Sequence, residues 1–91
     1  MTHVFEGRFK ITTHAIMEMS RRGLTIAVIE AVLKDTGQKL AIRQGRMVYQ
    51  SVQTFPPDGK EYLVRVFVDI DRNPAEVVTA YRTTRVKKYW R

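Results

Sequence analysis

Two histidines, no cysteine and sixteen Lys and Arg set the chemistry open to this 91-residue chain. His14 follows Thr12 and Thr13, whose hydroxyls can cap a helix, so an imidazole is expected at a helix start. Placed there it can serve as a general base or acid; the plainer reading is an exposed histidine with no task. His3 lies near the terminus and receives no role. The scattered carboxylates lack metal-ligand spacing. Gly7, Gly23, Gly37, Gly45 and Gly59 are isolated, so they form no phosphate-cradling loop, and there is no nucleophile elbow. Without cysteine the chain has no disulfide, thiolate metal site or cysteine nucleophile, which suits a reducing cytoplasm. One histidine, many arginines and several tyrosines fit RNA cleavage that needs neither metal nor cofactor. In that reaction the substrate's 2′-hydroxyl attacks the adjacent phosphate. It requires a base near the hydroxyl, cations against the phosphorane and an acid at the leaving 5′-oxygen.

The cations are unevenly placed. Of the net charge of +7, five units come from Arg82, Arg85, Lys87, Lys88 and Arg91 in the acid-free segment 82–91. A basic tail on a near-neutral body can steer an anionic partner, although a solvated tail that only aids solubility gives the same composition.

These side chains need a scaffold, and the length allows one small domain, residues 1–91, with one core. No apolar run approaches the ~20 residues of a membrane span, and the opening MTHVFEGRFK lacks signal-peptide features. Phe5, Gly7, Phe9 and Ile11 alternate weakly, a strand signal reduced by Gly7. Ala15, Ile16 and Met19 make a helical stripe ended by Gly23. Thr25 can cap a second helix carrying Ile29, Val32 and Leu33, ended by Gly37. From Lys39 the period becomes alternating, with strands expected over 39–44, 47–55, 61–70 and 76–82 and turns at Gly45–Arg46, Pro56–Gly59 and Asp71–Pro74. The expected fold is α+β: two short N-terminal helices on one face of a four-stranded antiparallel meander. Val64, Val66 and Val68 should face the helices, with Val78 and Ala80 beside them. Arg65, Phe67, Thr79 and Tyr81, joined by Tyr49, should form an open face where rings stack on bases and guanidinium groups meet phosphate. Ordinary cross-strand pairing on a half-exposed face is the competing account.

Four segments in order, TTHAIMEMSRRGLT (Thr12–Thr25), GRMVYQ (Gly45–Gln50), YLVRVFV (Tyr62–Val68) and VVTAYRT (Val77–Thr83), resemble domain-of-unknown-function family 4258. That family looks like a compact relative of the RelE/ParE and BrnT toxins in the barnase- and RelE-like ribonuclease fold. The resemblance implies a toxin of a toxin–antitoxin pair with RNA as substrate and no metal. It points to His14 and Arg22 in the helical block, to Arg65, and to Thr79, Tyr81 and Arg82. Arg21 and Arg22 also suit a helix C-terminus for its dipole alone.

The leading expectation is therefore a cytoplasmic endoribonuclease. His14 acts as base or acid, Arg65 and Arg82 steady the phosphorane, and Tyr81 and Thr79 orient the backbone. Arg22, Tyr49, Arg85, Lys87 and Lys88 hold RNA. The alternative is a non-catalytic module of the same fold that binds nucleic acid or an antitoxin. A cognate antitoxin and a second copy of the chain are the candidate protein partners. Tyr89 and Trp90 serve either as interface anchors or as a cover folded back on the core.

Overall fold

Hydroxyl caps and a glycine stop define the first helix. Thr12 Oγ1 accepts from the Ala15 amide at 3.1 Å and opens α1 (Thr13–Arg21). At its far end the Leu24 amide reaches the Met19 carbonyl and the Gly23 amide the Ser20 carbonyl, a closure that needs the φ of +74° at Gly23. Thr25 caps α2 (Ile26–Lys34) in the same way, through the Val28 amide. The N-cap is thus Thr12, and His14 is the second helical residue.

The computed structural model describes residues 2–91. Among them the strands are β1 (His3–Phe5), β2 (Phe9–Ile11), β3 (Gln38–Arg43), β4 (Arg46–Phe55), β5 (Lys60–Asp69) and β6 (Ala75–Thr83), followed by a one-turn helix, α3 (Val86–Tyr89). The six strands form one sheet in the order β1-β2-β6-β5-β4-β3. This corrects the expected fold. The sheet is six-stranded and mixed rather than four-stranded and antiparallel, because β2 pairs parallel to β6, and three helices are present among the described residues. The opening segment, discounted for Gly7, is a hairpin turning at Glu6 and Gly7, both with positive φ. The helix described at no point by the expected fold, α3, lies inside the segment read as a basic tail.

One face of the sheet carries the core. Ala15 and Met19 of α1 and Ile29, Val32 and Leu33 of α2 cover Val64, Val66, Val68, Val77 and Ala80, with Phe9, Ile11 and Tyr49 closing the edges. Near-complete burial of these side chains supplies the main stabilisation, about 1.5–3 kcal/mol for each large aliphatic group. Two parities differ from expectation. A register shift between Phe67 and Val68 makes Val77, not Val78, the partner of Val68, so Val77 enters the core. Tyr49 pairs with Val66 and meets Phe9 edge-on at 5.7 Å, which places it in the core. No helix is long and apolar enough to cross a membrane among the described residues.

Candidate functional site

Residues that alternate with the core valines lie on the second face: Val48 and Gln50 of β4, Leu63, Arg65, Phe67 and Asp69 of β5, and Thr79 and Tyr81 of β6. That face is divided. Over one half the C-terminal segment folds back. Tyr89 lies on Arg65, whose guanidinium carbon is 4.2 Å from the ring centroid, and the Gln50 side-chain amide donates to the Tyr89 carbonyl. Gln38 clasps both backbone groups of Arg91. Trp90 packs against Gly37, where a Cβ would stand 2.7 Å from the indole. A Cβ at Gly37 would push the indole aside, so glycine suits the close approach of Trp90, while the C-cap of α2 is Asp35. The segment is a roof, and Tyr89 and Trp90 belong to it.

Arg65 sits beneath this roof, 9% exposed. Its Nε donates to Gln50 Oε1 at 2.9 Å and its Nη1 to the Tyr81 hydroxyl at 2.8 Å. Rings of Phe67, Tyr81 and Tyr89 surround it. It forms no ion pair with a carboxylate among the described residues. The cation is held by neutral acceptors and π faces, an arrangement suited to arginine's flat, weakly hydrated head. The Tyr89 phenol is held below its ordinary range, first by its hydrogen bond with Tyr81 and then by the charges of Lys88 and Arg65.

The other half of the face is open, a cleft of about 490 Å³ lined by Arg22, Ile42, Arg43, Arg46, Phe67, Thr79 and Tyr81. Beyond Val77 the outer edge of β6 is free of β2, and Arg22 reaches across it from the end of α1. Its Nη1 donates to the Thr79 hydroxyl and to the Ala80 carbonyl, both at 2.9 Å. Its side chain is still 44% exposed, and its nearest carboxylate, Glu18, is 4.0 Å away. On the opposite rim Arg43 is exposed and makes no ion pair among the described residues. Arg46 is neutralised: Asp69 accepts from its Nε at 2.7 Å and from its Nη2 at 3.2 Å. The cleft thus offers two largely uncompensated guanidinium groups, a threonine hydroxyl and two half-buried rings.

Of the residues read from the sequence, Arg22, Thr79 and Tyr81 converge here with Phe67. The others do not. His14 is exposed on α1, on the helical side of the sheet, whereas Arg65 lies on the opposite side under the roof; the sheet separates the proposed base from the proposed cation. Arg82 pairs with Val64 on the helical side, 4.6 Å from the centroids of both Phe55 and Tyr62 and packed on Gly23. Tyr49 is core. Arg85, Lys87 and Lys88 are exposed on the roof, outside the cleft. Arg43 and Arg46 were missed as site residues because they flank the Gln44–Gly45 turn and read as punctuation. The available signal was the concentration of basic residues around that turn.

The Asp69 carboxyl is held below the usual carboxylate range, mainly by its hydrogen bonds from Arg46, against burial and with help from the charges of Arg46, Arg43 and Arg72. A depressed folded pKa stabilises the fold fully above the unfolded value. That contribution is lost as pH falls through the folded one. Asp69→Asn should therefore cost about 1–2 kcal/mol near neutrality. The gap from the wild type should begin to narrow below about pH 4 and close as pH falls through the lower folded value. Urea midpoints of both proteins from pH 7 to pH 2 check this; a gap that stays constant to pH 2 would refute the pairing.

The model of the Domain of unknown function (DUF4258) matches residues 11–82. No curated protein and no solved structure shows significant similarity to the chain. The matched stretch contains every residue lining the cleft and ends before the roof.

Proposed function

The chain belongs to the DUF4258 family, and we propose that it is an RNA-binding module whose ligand enters the arginine-rimmed cleft. One observation carries this reading: Arg22 and Arg43, both short of counter-charge, flank Phe67, Thr79 and Tyr81 in a single open concavity. Guanidinium groups fork onto phosphate, a threonine hydroxyl donates to phosphate or ribose oxygen, and rings accept the face of an unpaired base. RNA presents such bases in loops, bulges and ends, which favours it over duplex DNA. The net charge of +7 adds long-range attraction. Cleavage by a His14–Arg65 pair forms no part of this reading, since the two side chains occupy opposite sides of the sheet.

A fluorescent single-stranded RNA 20-mer titrated with the protein tests it. Two or three phosphates neutralised in and around the cleft predict that log K falls with log salt at a slope of about −1.4 to −2. The RNA should remain intact through prolonged incubation, and His14→Ala should bind as the wild type does. Absence of salt-sensitive binding at low ionic strength would dismiss the RNA reading. RNA cut by the wild type and spared by His14→Ala would restore a catalytic one.

A further inference from the structure

We infer that the cleft accepts one unstacked nucleotide at a time, an RNA end or an extruded base, rather than a strand tracking across the sheet; this rests on the RNA-binding reading above. Sheets that track single strands expose a row of rings on which successive bases stack. Here the row is interrupted. Phe67 and Tyr81 lie 6.0 Å apart with planes 19° from parallel, a single platform at the floor of the cleft. The next ring along the face, Tyr89, belongs to the roof and stands at 76° to Tyr81 with centroids 6.3 Å apart. It forms a wall where a second base would have to continue.

The wall is fixed at several points. The Tyr89 carbonyl accepts from Gln50, which is fully buried; Arg91 is clasped by Gln38; and Trp90 lies on Gly37. Gln50 also accepts from Arg65, so the roof and the floor share one hydrogen-bond chain. The sides are closed as well. Arg22 is tied to Thr79 and Ala80 along the β6 edge, and Ile42 and Arg43 rise from β3 on the other side. With four strands from β6 to β3, the two rims stand about 14 Å apart at the backbone. The volume of the open cleft, about 490 Å³, is in the range of pockets for single small molecules. A base inside a duplex cannot use this platform, because both its faces are already covered by neighbours in the stack. The ligand class is thus a nucleotide with a free base face, its phosphate between Arg22 and Arg43 and its base on Phe67.

Fluorescence anisotropy on a labelled RNA duplex tests the inference, using a blunt form and forms with single-stranded 3′ extensions of two, five and ten nucleotides. The two-nucleotide extension should bind at least tenfold more tightly than the blunt duplex, and further lengthening should add less than threefold. Phe67→Leu should bring the extended duplexes down to within threefold of the blunt one. Tyr89→Ala, which removes the wall and leaves the charge unchanged, should make affinity climb with extension length. Equal binding of blunt and extended duplexes overturns the inference and leaves the RNA-binding reading in place. So does affinity that climbs steadily with length in the wild type, an extension gain kept by Phe67→Leu, or a length profile unmoved by Tyr89→Ala. Only failure of every RNA to bind in a salt-sensitive way overturns both.

Discussion

Arg65→Ala is expected to destabilise the fold by about 2–4 kcal/mol, a loss visible as a lower urea midpoint. The size follows from what the guanidinium does. It is the donor to Gln50 Oε1, and Gln50 is fully buried with its side-chain nitrogen already committed to Gln38 and to the Tyr89 carbonyl. Removal leaves a buried acceptor without its partner, which costs about 1–3 kcal/mol. It also leaves a void under the Tyr89 ring and ends the cation–π contact at 4.2 Å. Arg65→Lys should recover little, because one ammonium cannot lie flat on Tyr89 and reach both Gln50 and Tyr81. Trp90, the chain's one tryptophan, reports the same event: its fluorescence should shift as the roof loosens, at lower urea in the variant than in the wild type. Unchanged stability of Arg65→Ala would mean that the roof stands without its cation, and the structural role assigned here would be wrong. The prediction also separates two meanings of a defective Arg65 variant, since loss of RNA binding at a lowered urea midpoint reports folding rather than contact with phosphate.

The contrast between Arg65 and Arg22 shows how far the sequence could be read. Long, strictly alternating β5 was legible: its valines had to be covered, which put Arg65 and Phe67 on the second face. The two helices were legible from Thr12, Thr25 and Gly23, because caps act within a few residues of the backbone they satisfy. Long-range pairing leaves no such local mark. The parallel match of Phe9–Ile11 with Ala75–Val77 joins strands more than sixty residues apart, and two three-residue strands are too short to display a period. The bulge at Val78 reversed the parity of one strand end, and Tyr49 went to the core because the register of β4 is set by β5 rather than by its own mixed pattern. The C-terminal cations were counted correctly, but counting gave no hint that Gln38 and Gly37 receive the segment carrying them. Of the site, the β6 residues Thr79 and Tyr81 were visible by alternation. Arg43 and Arg46 become site residues only once the β3–β4 hairpin pairs with β5 and faces β6 across that strand.

Reversing both exposed cations of the cleft, Arg22→Glu with Arg43→Glu, should weaken binding of single-stranded RNA at least a hundredfold at about 50 mM salt, equivalent to about 2.7 kcal/mol or more. Each substitution replaces attraction to a phosphate at contact distance with repulsion. The effect must be set against a roof control. Lys87 and Lys88 are exposed on the far half of the face, so their charges act through solvent and salt. Lys87→Glu with Lys88→Glu, which removes the same four units of charge, should weaken binding less than fivefold. This ordering separates a cleft that holds its ligand from a basic surface that merely attracts polyanions, because for the latter the two pairs would matter in proportion to charge alone. Arg22 also holds the β6 edge through Thr79 and Ala80, so the single variant Arg43→Glu serves as the check on folding. Arg43 has no ion pair to lose among the described residues and only a minor share in holding the Asp69 carboxylate, so the variant should lower the urea midpoint only slightly and still lose about tenfold in affinity. If the lysine pair proves as damaging as the arginine pair, the cleft is not where RNA binds.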